Sequence, residues 1–191
     1  VAIGITAGAR EYLAADICLK YMKEAISEPC NEEQLEAAEK ALRAKLNSLS
    51  LVQPEGTFRT ARKEAAKLFD RKILFTENPR KVESVVFTKE GYRIKIEAVI
   101  NGEQKTLYAS YKAWKRNNLY PDDFTKKYQS VAYAMDAEAL YLSVGLINTS
   151  YKEEYSLWVN SEDKVIATWR PNVTYLPEEP DMVWKFTGTF E

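Results

Sequence analysis

The side chains that could carry chemistry in this chain are carboxylates, tyrosines, lysines and two cysteines, because none of the 191 residues is histidine. That removes the Ser-His-Asp triad, the Cys-His dyad and every imidazole metal site. Carboxylate pairs, a Ser-Lys dyad or a Tyr-Lys acid–base pair remain open. Asp136 and Glu138 are a candidate carboxylate pair. They fall in a tight turn, where acidic residues serve backbone geometry, and nothing else of a sugar-cleaving site accompanies them. With seven glycines, no Gly-x-Gly-x-x-Gly fingerprint and no P-loop, the chain offers little material for a phosphate cradle. No cofactor and no metal is expected, and the reading leans away from an enzyme.

Binding chemistry has better candidates. The segment from Trp114 to Tyr128 is the longest interruption in an otherwise regular strand pattern, and long connections on a rigid scaffold often bind. Trp114, Arg116, Tyr120 and Asp122 are its candidate contacts; Pro121-Asp-Asp-Phe reads equally as a helix start. The second segment, Arg170–Asp181, carries Pro171, Pro177 and Pro180 and so runs extended with few ladder donors. It would present Tyr175 and Leu176. Tyr111, Tyr133, Trp169 and Trp184 sit on strands, where aromatics are ordinarily core; on a strongly curved sheet they would line a cleft. Arg59, Arg62, Lys63, Lys67, Arg71 and Lys72, followed by Arg80 and Lys81, form a basic stretch. Interrupted by Glu64 and Asp70, it reads as a solvated helix face, neutralised in part by the glutamates of the preceding helix.

The elements that must hold these residues change period one third of the way along. Up to about Leu68 the apolar residues recur at helical spacing. A first helix, about Arg10–Ile26, has a broad apolar face. A second starts at Asn31, with Gln34 completing a capping box, and carries the narrow stripe Leu35, Ala38, Leu42 and Leu46. A third covers about Thr57–Asp70. From about Ile73 onward apolar residues alternate at strand spacing: Tyr92 to Ile100, Leu107 to Ala113, Val131 to Met135, Leu140 to Leu146, Tyr155 to Val159, Val165 to Trp169 and Met182 to Phe190. Asn101-Gly102 is a strong hairpin signal. Helices followed by strands predict an α+β fold: about three N-terminal helices packed on a curved, mostly antiparallel meander of eight to nine strands. One domain, 1–191, is expected, with an apolar lead-in at 1–9, a helical layer at 10–70 and the sheet at 71–191.

The totals set further bounds. With 27 basic and 28 acidic residues, the formal net charge of −1 gives no field that calls for nucleic acid. No apolar run reaches the roughly 18–20 residues that span a bilayer, so a membrane would be met only through a segment absent from this chain. Val1–Ala9 is apolar and uncharged, which fits the stub of a processed targeting segment or a plain lead-in. Two sequons, at Asn148 and Asn172, suit secretion, and the compartment reads as extracytoplasmic. A bridge between Cys18 and Cys30 requires the first helix to stop early.

The leading expectation is therefore a non-catalytic interaction module that binds a protein partner through the two irregular segments. Two alternatives stand beside it. One is a carrier of a small apolar ligand in an aromatic-lined cavity; the other is a histidine-free hydrolase or isomerase.

Overall fold

The computed structural model describes residues 16, 19–23, 31–48, 51–58, 63–120, 122, 128–147, 149, 151–172 and 183–191. The chain forms two compact units, Val1–Val52 and Gln53–Glu191. In the first, residues 19–23 are helical and α1 spans Glu32–Ser48. Its capping box is formed as the sequence predicts. Gln34 N donates to Asn31 Oδ1 at 2.8 Å and Asn31 N donates to Gln34 Oε1 at 3.1 Å, which satisfies two backbone donors that a helix start leaves open. No residue of α1 is buried. The Cys18–Cys30 question and the 1–9 lead-in lie outside the described residues.

The second unit holds α2 (Lys63–Ala66) and ten strands: β1 (Lys72–Phe75), β2 (Val82–Glu90), β3 (Arg93–Ile100), β4 (Glu103–Tyr111), β5 (Lys115–Asn118), β6 (Tyr128–Met135), β7 (Ala139–Leu146), β8 (Lys152–Val159), β9 (Val165–Pro171) and β10 (Trp184–Phe190). Strands pair in chain order from β1 to β4 and from β5 to β10, β10 pairs with β1, and β4 pairs with β6, so nine strands close into a ring with β5 flanking β6. The fold is a β-barrel. This corrects the α+β expectation: the sheet buries its apolar face by closing on itself and needs no layer of helices. A closed ring also leaves no long unpaired edge.

Alternation carries the core. Ile94, Ile96 and Ala98 of β3 are buried with Val131, Tyr133 and Met135 of β6, Leu140, Leu142 and Val144 of β7, and Leu157 and Val159 of β8. The β3–β4 turn uses Asn101 and Gly102 with φ of 52° and 77°, as a two-residue hairpin with two left-handed centres requires.

Closure rests on a short seam. β4 and β6 pair in parallel through Ser110↔Ala132 and Tyr111↔Tyr133 only. Beyond them β5 runs antiparallel to β6, and the buried Asn117 mends the gap to β4. Its Oδ1 accepts from Tyr108 N at 2.7 Å and its Nδ2 donates to Tyr108 O at 2.9 Å, replacing a missing ladder rung with a side chain.

Among the described residues of the helix expected over Thr57–Asp70, α2 alone is helical. Thr57 instead exchanges backbone hydrogen bonds with Met135, at 2.7 and 2.8 Å. A Cβ on Gly56 would stand 2.4 Å from Met135 O, at a φ of +142° that other residues avoid, so only glycine lets this segment reach β6. Phe58 then stacks near Tyr92 and Tyr111, with ring centres 4.6 and 5.4 Å away. Within the basic stretch, Lys67 meets Glu64 at 2.8 Å and Lys72 meets Glu191 at 2.7 Å.

Candidate functional site

Strand ends define two ends of the barrel. The β1–β2, β3–β4, β5–β6, β7–β8 and β9–β10 connections leave from one of them. Below that end lies a cavity of about 420 Å³, walled chiefly by inward positions of β2 to β10. Val85, Ile96, Leu107, Val144, Leu157 and Phe186 give it an apolar lining. Ala98 and Ala167 leave space where longer side chains would meet. The volume falls in the ~300–1,000 Å³ range of small-molecule sites.

A polar cluster interrupts this lining. Asn78, buried in the β1–β2 loop, donates through Nδ2 to Thr76 O (2.9 Å) and Val82 O (2.7 Å), and its Oδ1 accepts from Val82 N (3.1 Å). These bonds make the loop a rigid bracket that sets Arg80 in the cavity wall. Arg80 Nε donates to the Tyr155 hydroxyl at 3.2 Å, and its Nη2 lies 3.1 Å from Glu153 Oε2. The Tyr155 hydroxyl donates to the same Glu153 oxygen at 2.7 Å. The guanidinium also sits 5.4 Å from the centre of the Trp169 ring, within reach of a cation–π attraction.

The electrostatics follow from burial. Burial opposes charge on Arg80, but Tyr155 and Glu153 outweigh it, so its pKa stands above the ordinary value and it stays cationic. Burial first, and then the Glu153 charge, push the Tyr155 phenol far above its usual range, so it stays neutral and donating. Further along the wall Gln129 is 6% exposed.

Of the residues singled out from sequence, Tyr120 reaches this cavity and lines it, with Lys105 Nζ 4.6 Å above its ring. Trp114 lies on the other side of the sheet: its Cζ3 would stand 3.7 Å from a Cβ on Gly145, an ordinary contact distance. Arg116 is exposed on β5, and Asp122 is exposed beyond it. Tyr175 and Leu176 lie outside the described residues, as does the helix start expected at Pro121. Among the described residues of the expected site, Tyr120 is the one that lines the cavity. Among the proposed cleft aromatics, Trp169 and Trp184 stack at 6.1 Å near Arg80, while Tyr111 and Tyr133 sit at the opposite end. Asp136 caps the β6–β7 turn through Glu138 N and Ala139 N, both at 2.8 Å, and does not form a carboxylate pair.

Arg80, Gln129, Glu153 and Tyr155 were missed. Three of them had a legible signal: Gln129 continues the series Val131, Tyr133, Met135 two residues back, and Glu153 likewise extends Tyr155, Leu157, Val159. A polar residue in phase with an apolar strand face points inward. The protein-binding and interaction-module description is corrected together with the α+β fold, because the sheet that was to present two contact strips is a closed barrel around a cavity.

No family model matches the chain, and no curated protein matches its sequence. Solved structures similar in fold include a fatty acid transporter designated REP1-NXSQ, at 12% identity and TM-score 0.49 over 66% of this chain and 98% of that one. The fatty-acid-binding protein isolated from Manduca sexta aligns at 10% identity and TM-score 0.47, over 64% of this chain and 98% of its own. Lipid binding protein 8 of Caenorhabditis elegans aligns at 7% and 0.49, over 66% and 96%.

Proposed function

We propose that the barrel binds a small apolar molecule inside its cavity and serves as a carrier for it. The observation behind this reading is the cavity of about 420 Å³, walled by strands whose inward side chains are mostly apolar. An apolar guest would remove that lining and its own surface from water at about 25 cal/mol per Å² of area buried. The few polar groups in the wall would fix its orientation.

The test is uptake of a neutral solvatochromic dye, Nile red, followed by its emission. The wild-type barrel should bind it, and Ala167→Phe, which fills the space beside Leu157 and Phe186, should lose binding by about tenfold or more. The variant must keep its near-ultraviolet circular dichroism. A wild-type protein that takes up no dye, and retains no extra mass in native mass spectrometry, would remove this reading.

A further inference from the structure

Resting on the ligand-binding reading above, we infer that the cavity selects apolar molecules ending in a neutral oxygen function, an alcohol above all, over free carboxylates. The argument starts from charge. Among the described residues of the wall, the charged side chains are Arg80, Glu153 and, exposed at the rim, Lys81. Arg80 is already neutralised: Glu153, with its side chain 11% exposed, holds the guanidinium at 3.1 Å. A carboxylate brought to the same guanidinium would be a second anion beside Glu153 in a space of low polarity, and two such anions repel strongly.

A neutral oxygen meets no such penalty. Arg80 has N–H groups beyond the two used by Tyr155 and Glu153, and a hydroxyl, carbonyl or ester oxygen can accept from them. Gln129 narrows the class further. Its amide offers donors and an acceptor together, and the residue, 6% exposed, lines the cavity. A hydroxyl both donates and accepts and so can use the whole of it, whereas a carboxylate can use the donors alone. Tyr155 does not change this balance, because its proton is committed to Glu153 at 2.7 Å.

The experiment is displacement of bound Nile red by dodecan-1-ol and by dodecanoate, both below their aggregation limits. It compares wild type, Glu153→Gln and Gln129→Leu. The alcohol-to-carboxylate affinity ratio in wild type, divided by that in E153Q, cancels the different water solubility of the two probes. It should be about tenfold or more, because E153Q exposes an uncompensated Arg80. Q129L should weaken dodecan-1-ol by about tenfold more than it weakens Nile red. A ratio that E153Q leaves unchanged, or dodecan-1-ol binding that Q129L leaves unchanged, would overturn the selectivity while the carrier reading stands. Failure of wild type to bind dye or either probe would overturn both.

Discussion

At the end of the barrel where β6 turns into β7, the inward side chains Ile94, Tyr133, Met135, Leu140 and Val165 are each no more than 1% exposed. Leu68 and Phe69, brought in by the segment after α2, are buried with them, and α2 lies against β7 and β8. At the opposite end the same strands carry Ala98, Ala167, Gln129 and Glu153 at inward positions, and a cavity opens between them. Identical strand geometry thus yields a plug at one end and a void at the other. Among the described residues, the difference lies in side-chain volume and in the short segment after α2 that is buried at the plugged end. Stability should be concentrated where packing is complete.

Matched truncations give the largest test. Leu140→Ala at the plugged end should cost about 3–4 kcal/mol, because it creates a new void among side chains that cannot collapse. Leu107→Ala in the cavity wall removes the same atoms beside space that is already empty. It should cost at least about 1 kcal/mol less, since less new cavity is made. Urea denaturation of both variants measures the difference. Equal losses would show that the two ends are packed alike and that the cavity closes in solution.

The plug and the void were unequally legible in the sequence. Alternation marked the strands well: the stretches read as 140–146 and 165–169 are β7 (Ala139–Leu146) and β9 (Val165–Pro171). The hairpin at Asn101-Gly102 is where its residue types put it. Closure was not legible, because it depends on long-range pairing that leaves no local trace. The seam is two residue pairs long, and its neighbour β5, Lys-Arg-Asn-Asn, holds none of the residues that favour strands. A run of helices before a run of strands was therefore read as two packed layers. The cavity was half legible. Gln129 and Glu153 stand in phase with apolar faces, but Arg80 arrives by a loop and appeared only as the tail of a basic stretch.

A second test asks how completely the plugged end satisfies its polar atoms. The Tyr133 hydroxyl is buried with no hydrogen-bond partner among the described residues, and burial, with a smaller push from Tyr111, raises its pKa to about 12. An unpaired buried hydroxyl is a standing cost. Tyr133→Phe removes it without changing the ring, so stability should hold or rise by about 1 kcal/mol in urea melts. A loss of more than about 1 kcal/mol would mean that the hydroxyl does find a partner and that the plug is a polar network as well as an apolar one.

The smallest effect concerns the turn that fastens the plug. Burial opposes charge on Asp136. The Tyr141 hydroxyl at 2.6 Å and the backbone N–H groups of Glu138 and Ala139 outweigh it, and its carboxyl is held below the ordinary value of 3.8. A carboxyl depressed in the folded state contributes stability that is fully present above its unfolded pKa and is lost as pH falls through its folded one. Asp136→Asn should therefore cost only about 0.5–1 kcal/mol at neutral pH, as expected for exposed hydrogen bonds. Its stability should also fall less steeply than that of wild type between about pH 4 and pH 2. The site is exposed, so salt will blunt the effect. If the acid limb of the two proteins coincides, the turn is held by its backbone geometry, and the firmness of the plugged end comes from apolar packing alone.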